Sequence, residues 1–110
     1  MPAEALFVSA LSLGEIRKGV QKLPSGPRRE QIAAWLESEL PAWFEDRVVA
    51  IDAEVADEWG RLVARPINTL PVIDSLIAAS ALRHRLSVVT RNGVDFERTG
   101  VSIVNPWHDA

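Results

Sequence analysis

Three carboxylates are spaced along the chain in positions where acids can do chemistry. Glu15 falls at the start of a helix that follows a short apolar run. Asp74 lies in the first turn of a helix within Pro71-Val-Ile-Asp-Ser-Leu-Ile-Ala-Ala79, and Asp95 follows a strand within Thr90-Arg-Asn-Gly-Val-Asp-Phe96. If these segments belong to a parallel α/β sheet, all three acids lie toward the carboxyl ends of the strands, where such sheets bind ligands. Acids gathered there make a site for a hard divalent cation, Mg²⁺ or Mn²⁺, which prefers oxygen ligands. Each acid also has a purely structural role open to it. Glu15 completes a capping box opened by Ser12. Asp74 answers the positive end of its helix dipole, and Asp95 caps the short turn from Phe96 to Gly100. A carboxylate among Ile73, Leu76 and Ile77 is costly without a partner, which weighs toward a ligand role for Asp74. Thr90 and Asn92 read as strand-end and turn residues, and His84 suits the end of its helix.

The elements that would position these acids follow from hydrophobic periodicity. Ala5 to Ala10 is a short apolar run suited to a buried strand. The helix opened at Ser12 places Leu13, Ile16, Val20 and Leu23 on one face, and Pro24-Ser-Gly-Pro27 ends it. A second helix is predicted from Arg28 to Leu40, with Ile32, Trp35, Leu36 and Leu40 inward and Pro41 as its stop. Residues 41–46 read as a turn or short helix, and Arg47 to Ile51 as a β-branched strand. Asp52 is a natural N-cap for a helix that buries Val55, Trp59 and Leu62. Pro71 suits the first position of the next helix, which is apolar on nearly all sides and therefore reads as buried. Leu86 to Thr90 and Val101 to Val104 are strands joined by a loop with a short helical turn. Helices alternate with strands, so the fold class is α/β with a mainly parallel sheet. The four Trp residues read as core and edge packing.

Composition narrows the chemistry. The 110 residues fit one domain, and a hydrophobic share of 47% excludes a disordered chain. Cysteine is absent, which removes disulfides, thiolate metal sites and a Cys nucleophile. The two His residues, His84 and His108, are too few and too distant in sequence for a His-rich zinc site. No stretch approaches a bilayer span and no leader pattern is visible, so the expectation is a soluble, cytoplasmic protein. Twelve Lys and Arg against fifteen Asp and Glu give a formal charge of −3. A nucleic-acid substrate would then need bound cations to offset the acidic balance. Gly14, Gly19 and Gly26 match no phosphate-loop spacing.

Taken together, Ser9-Ala-Leu-Ser-Leu-Gly-Glu-Ile-Arg-Lys-Gly19, Leu70-Pro-Val-Ile-Asp-Ser-Leu-Ile-Ala-Ala79, Val88-Val-Thr-Arg-Asn-Gly-Val-Asp-Phe96 and the ending Val104-Asn-Pro-Trp107 resemble the PIN-domain toxins of the VapC and FitB type. The resemblance runs along the whole chain. It implies a three-layer α/β/α fold in a single domain, 1–110. It also implies an Mg²⁺- or Mn²⁺-dependent endoribonuclease, the toxin of a bacterial toxin–antitoxin pair. It makes Glu15, Asp74 and Asp95 the metal-holding catalytic acids and gives Thr90 and Asn92 a supporting role. RNA substrate, a cognate antitoxin protein and a homodimer are the partners it implies. The family pattern opens with a central strand of the type Leu-Leu-Asp-Thr-Asn. Residues 1–10 contain no such run, and Glu4 is not assigned its role, so the chain reads as N-terminally truncated with reduced activity. The competing reading is a catalytically dead module that dimerises or binds an antitoxin helix through apolar faces around Trp35, Leu36 and Trp43.

Overall fold

Residues 6–66, 70–90 and 93–105 are described by a computed structural model of the chain. It divides into two compact units, at the boundary between Ala50 and Ile51.

The first unit opens with strand β1, Val8–Ser9, which leads directly into helix α1, Ala10–Lys22. Ser9 is extended, and its hydroxyl accepts a hydrogen bond from the Leu11 amide at 3.1 Å. The helix therefore starts ahead of the predicted cap at Ser12, and the strand shrinks accordingly. Leu13, Ile16 and Val20 turn inward, as the periodicity predicts. The Leu23 amide closes the last turn on the Val20 carbonyl at 3.1 Å, before Pro24.

Helix α2, Pro27–Ala34, continues through a π-helical turn at Trp35–Glu39 into α3, Leu40–Phe44. Pro41 was expected to stop the helix but sits in the first turn of α3. A proline lacks the N–H for the regular ladder, and its ring crowds the carbonyl four residues back. The wider turn just before it bonds the Leu40 amide to the Trp35 carbonyl, five residues back, and absorbs that mismatch. Leu36, Leu40 and Phe44 then share the buried side with Val20. Trp35 and Trp43 are instead 40% and 50% exposed, which corrects the expectation that Trp35 packs inward. Strand β2, Val48–Val49, pairs in parallel with β1, Val8 opposite Val48. The Arg47 guanidinium donates to the Leu6 carbonyl at 2.9 Å and to the Trp43 carbonyl, and lies 5.5 Å from the Phe44 ring centre.

In the second unit Asp52 caps helix α4, Ala53–Val63, its Oδ1 accepting from the Val55 amide at 2.9 Å as predicted. Helix α5 runs Val72–His84, strand β3 Ser87–Val89, the short helix α6 Gly93–Phe96 and strand β4 Ser102–Val104. β3 and β4 pair in parallel, Val88 opposite Ile103. The core gathers Val55, Leu62, Ala78, Ala79, Ala81, Val88, Phe96 and Val101. Alanines fully buried on α5 let α4 approach closely. Burial of α5 is narrower than the expected all-round pattern: Leu76, Ile77 and Leu82 are half-buried and Val72 is 63% exposed. The strands are shorter than predicted, but their parallel pairing and alternation with helices place the chain in the α/β class. Among the described residues no helix is long and apolar enough to cross a membrane.

Candidate functional site

Glu15 belongs to the first unit. Because α1 starts at Ala10, Glu15 is the sixth residue of the helix and not its third. The capping role open to it in the sequence is thereby removed, since Ser9 performs that job. Glu15 is exposed, on the side of α1 opposite Val20, and makes no hydrogen bond or ion pair among the described residues.

Asp74 and Asp95 belong to the second unit. Asp74 is the third residue of α5, half-buried, in the turn where the helix dipole favours an acid. Pro71 at the N-cap has no side chain able to cap, and Asp74 makes no hydrogen bond to the turn either. That turn is held by its neighbour. The Ser75 hydroxyl donates to the Val72 carbonyl at 2.6 Å and accepts from the Trp59 indole N–H at 2.9 Å. Ser75 is 1% exposed, so this bridge between α4 and α5 fixes the Asp74 backbone from behind. The sequence reading placed Trp59 on the buried face of its helix but gave neither it nor Ser75 a part in positioning Asp74. The available signal was a serine directly after an acid in the apolar first half of α5, which marks a buried hydroxyl but does not name its partner on α4.

Asp95 is exposed on α6. The turn that follows, Glu97–Thr99, takes no side-chain cap from it, which removes its structural role too. Its anchors are Phe96, buried in the core, and Thr99, whose hydroxyl donates to the Phe96 carbonyl at 2.6 Å and accepts from the Val101 amide at 3.2 Å. Gly93 opens α6 where a Cβ would meet the Ile103 side chain at 3.1 Å, so the helix lies tight on β4. Thr90 directly follows β3, with its amide bonded to the Val104 carbonyl at 3.0 Å. Asn92, Trp107 and His108 lie outside the described residues, as does Glu4.

Among the described residues no three His, Asp or Glu side chains are grouped closely enough to hold a metal ion. Glu15, Asp74 and Asp95 each make no side-chain hydrogen bond or ion pair among the described residues, so their oxygens are unspent. A cleft of about 500 Å³ lies in the second unit, lined by Glu54, Asp57, Glu58, Arg61 and Arg83. Two of its three acids are already matched: Glu54 pairs with Arg83 and Asp57 with Arg61. It is a solvated ion-pair surface, and none of the three candidate acids lines it.

The sequence pattern of the PIN domain matches residues 1–101. The chain is similar to "VapC ribonuclease Y4jK" of Sinorhizobium fredii, 34% identical over 97% of this chain and 79% of that protein. It is also similar to "Toxin FitB" of Neisseria gonorrhoeae, 30% identical over 96% of this chain and 78% of that protein. The solved structure of FitAcB from Neisseria gonorrhoeae superposes with a TM-score of 0.92 at 29% identity, covering 98% of this chain and 80% of that one.

Proposed function

Because this chain belongs to the PIN-domain family, we propose that it is a metal-dependent endoribonuclease acting as the toxin of a bacterial toxin–antitoxin pair. The observation that carries the reading is the idleness of its acids. Glu15 and Asp95 have lost the capping roles open to them, and Asp74 sits in a half-buried turn that other side chains hold in place. Carboxylates kept free in this way match the oxygen donor set that Mg²⁺ and Mn²⁺ prefer. Glu15, Asp74 and Asp95 would hold the ion, with Thr90 and Asn92 in support. A bound divalent ion supplies charge neutralisation at the phosphodiester and a hydroxide from water at neutral pH. The protein's part is to keep Asp74 fixed through Ser75 and Trp59, and Asp95 through Phe96 and Thr99. Residues 1–110 are read as one PIN-like domain, since the family pattern runs across the division between the two units. A cytoplasmic location, an antitoxin partner and a homodimer complete the proposal. The exposed Phe7, Trp35 and Trp43 of the first unit support a protein partner, because aromatic residues are enriched at such interfaces. Leu36, placed in that surface by the sequence reading, belongs to the core instead.

The test is Mn²⁺-dependent cleavage of a single-stranded RNA by the chain and by Asp74→Asn. Cleavage should vanish with chelator and fall more than about 100-fold in the variant, since even outer-shell partners of metal ligands cost 10- to 100-fold. Equal cleavage by both proteins, or none by folded wild-type chain, would overturn the reading.

A further inference from the structure

Glu15 does not stand alone on its helix. At 3.6 residues per turn, Glu15, Lys18 and Lys22 fall within about 60° of arc, opposite the buried Val20. All three are exposed. Neither lysine has an ion-pair or hydrogen-bond partner among the described residues, whereas Arg17 next to them is spent on Glu37 at 2.8 Å. The charge is also segregated along the chain. Residues 16–29 hold five of the twelve basic residues and no acid, in a protein whose net charge is −3. A polyanion repelled by the whole would be attracted here.

The two flanks of this stripe are bare. Gly14 lies about 40° to one side of it and Gly19 about 40° to the other. Glycine inside a helix is unfavourable compared with alanine, and a Cβ at either position would meet nothing within 4 Å. Packing among the described residues does not call for these glycines, while close approach of a ligand to backbone does.

We infer that Lys18 and Lys22 of α1 bind successive phosphates of a single-stranded RNA that runs from Glu15 along the glycine-flanked face of the helix. The inference rests on the nuclease reading for its choice of RNA, and on the charge and bareness of this face for its location. It is a phosphate contact, so it positions the strand and carries no base preference.

The experiment uses the full chain in EDTA, where no cleavage intervenes, with a fluorescent uridine 16-mer as probe. Affinity is measured from 50 to 300 mM salt for wild type, Lys18→Gln/Lys22→Gln, Gly19→Gln and Arg61→Gln. Loss of two phosphate contacts should reduce the slope of log affinity against log salt by about 1.4, at roughly 0.7 per phosphate for a single strand. Arg61→Gln, which removes a second-unit cation paired with Asp57, should keep the wild-type slope. Gly19→Gln should weaken binding several-fold while its thermal midpoint stays equal or rises, a combination that a structural role for Gly19 would not produce. An unchanged slope in the lysine variant, or Gly19→Gln binding as tightly as wild type, overturns the inference even if Mn²⁺-dependent cleavage persists. A lysine-dependent slope in a chain that never cleaves supports the contact and removes only the nuclease reading.

Discussion

The two units build their cores from different materials. The first uses four large side chains, Val20, Leu36, Leu40 and Phe44. The second uses small ones, Ala78, Ala79 and Ala81, beside Val55, Leu62, Val88, Phe96 and Val101. The polar content differs as well. The buried hydroxyls of Ser75, Ser80 and Thr99 are all in the second unit, and each donates to a backbone carbonyl three or four residues back. Large side chains can settle around a helix in several ways. Alanine contacts pinned by hydroxyls leave little choice. The difference matches what each unit presents: Glu15 on an outer helix face, against two acids whose turns are fixed from behind.

The most severe way to probe this contrast is to empty each core. Phe44→Ala should destabilise by about 3–5 kcal/mol, the usual cost of removing a buried phenyl. Phe96→Ala should cost a similar amount. Their consequences should diverge. Phe96 is the residue after Asp95, so its loss should also lower Mn²⁺-dependent cleavage per folded molecule, whereas Phe44→Ala should leave that ratio nearly intact. Urea unfolding gives the stabilities, and activity normalised to folded fraction gives the divergence. Equal activity losses would show that the two cores do not serve the acids differently.

A middle-sized effect is expected at Ser75. Ser75→Ala leaves the Trp59 indole N–H without its partner in a partly buried site, at about 1–3 kcal/mol. The Trp59 indole proton should shift in the NMR spectrum, and cleavage should fall beyond what stability explains. The counterpart in the first unit is Trp43→Gln, which touches an exposed ring. It should change stability by less than about 0.5 kcal/mol, unless the Arg47 contact over that ring carries more than such contacts usually do.

Much of this arrangement was legible in the sequence, because it depends on local rules. The Asp52 cap, the inward faces of α1 and α4 and the parallel pairing all follow from spacing and residue type. What was not legible depends on competition between neighbours. Ser9 and Ser12 both offer a hydroxyl at the start of α1, and it is Ser9, paired with Val49 in β2, that caps it. Pro41 normally ends a helix, but the five-residue turn before it lets the chain continue and moves Trp35 to the surface. The Trp59–Ser75 bridge joins residues from two helices, so no pattern within either helix announces it. Each of these three misses changed how an acid or an aromatic residue is presented, while none changed the fold class.

An effect of the opposite sign concerns the end of α5, where backbone geometry and residue type disagree. Arg85 adopts φ 57, ψ 42, the left-handed conformation. It is held there by two bonds, its own amide to the Leu82 carbonyl at 3.4 Å and the Leu86 amide to the Ala81 carbonyl at 2.8 Å. This is the helix-ending pattern in which glycine is usual. At Gly100 the chain does use glycine for a positive φ, 81°, so the second unit solves the same problem in two ways. Arg85→Gly removes the steric strain of a Cβ in that region, on the order of 1–2 kcal/mol. It also returns chain entropy to the unfolded state, which offsets part of the gain. The net expectation is a stabilisation of about 0.5–1 kcal/mol, read as a rise in urea midpoint at constant slope. Gly100→Ala should move in the opposite direction by a similar amount. Should Arg85→Gly destabilise instead, the arginine side chain would be holding the end of α5 by a contact beyond the backbone bonds. The second unit would then owe its definition less to backbone closure and more to side-chain packing, as the first unit does.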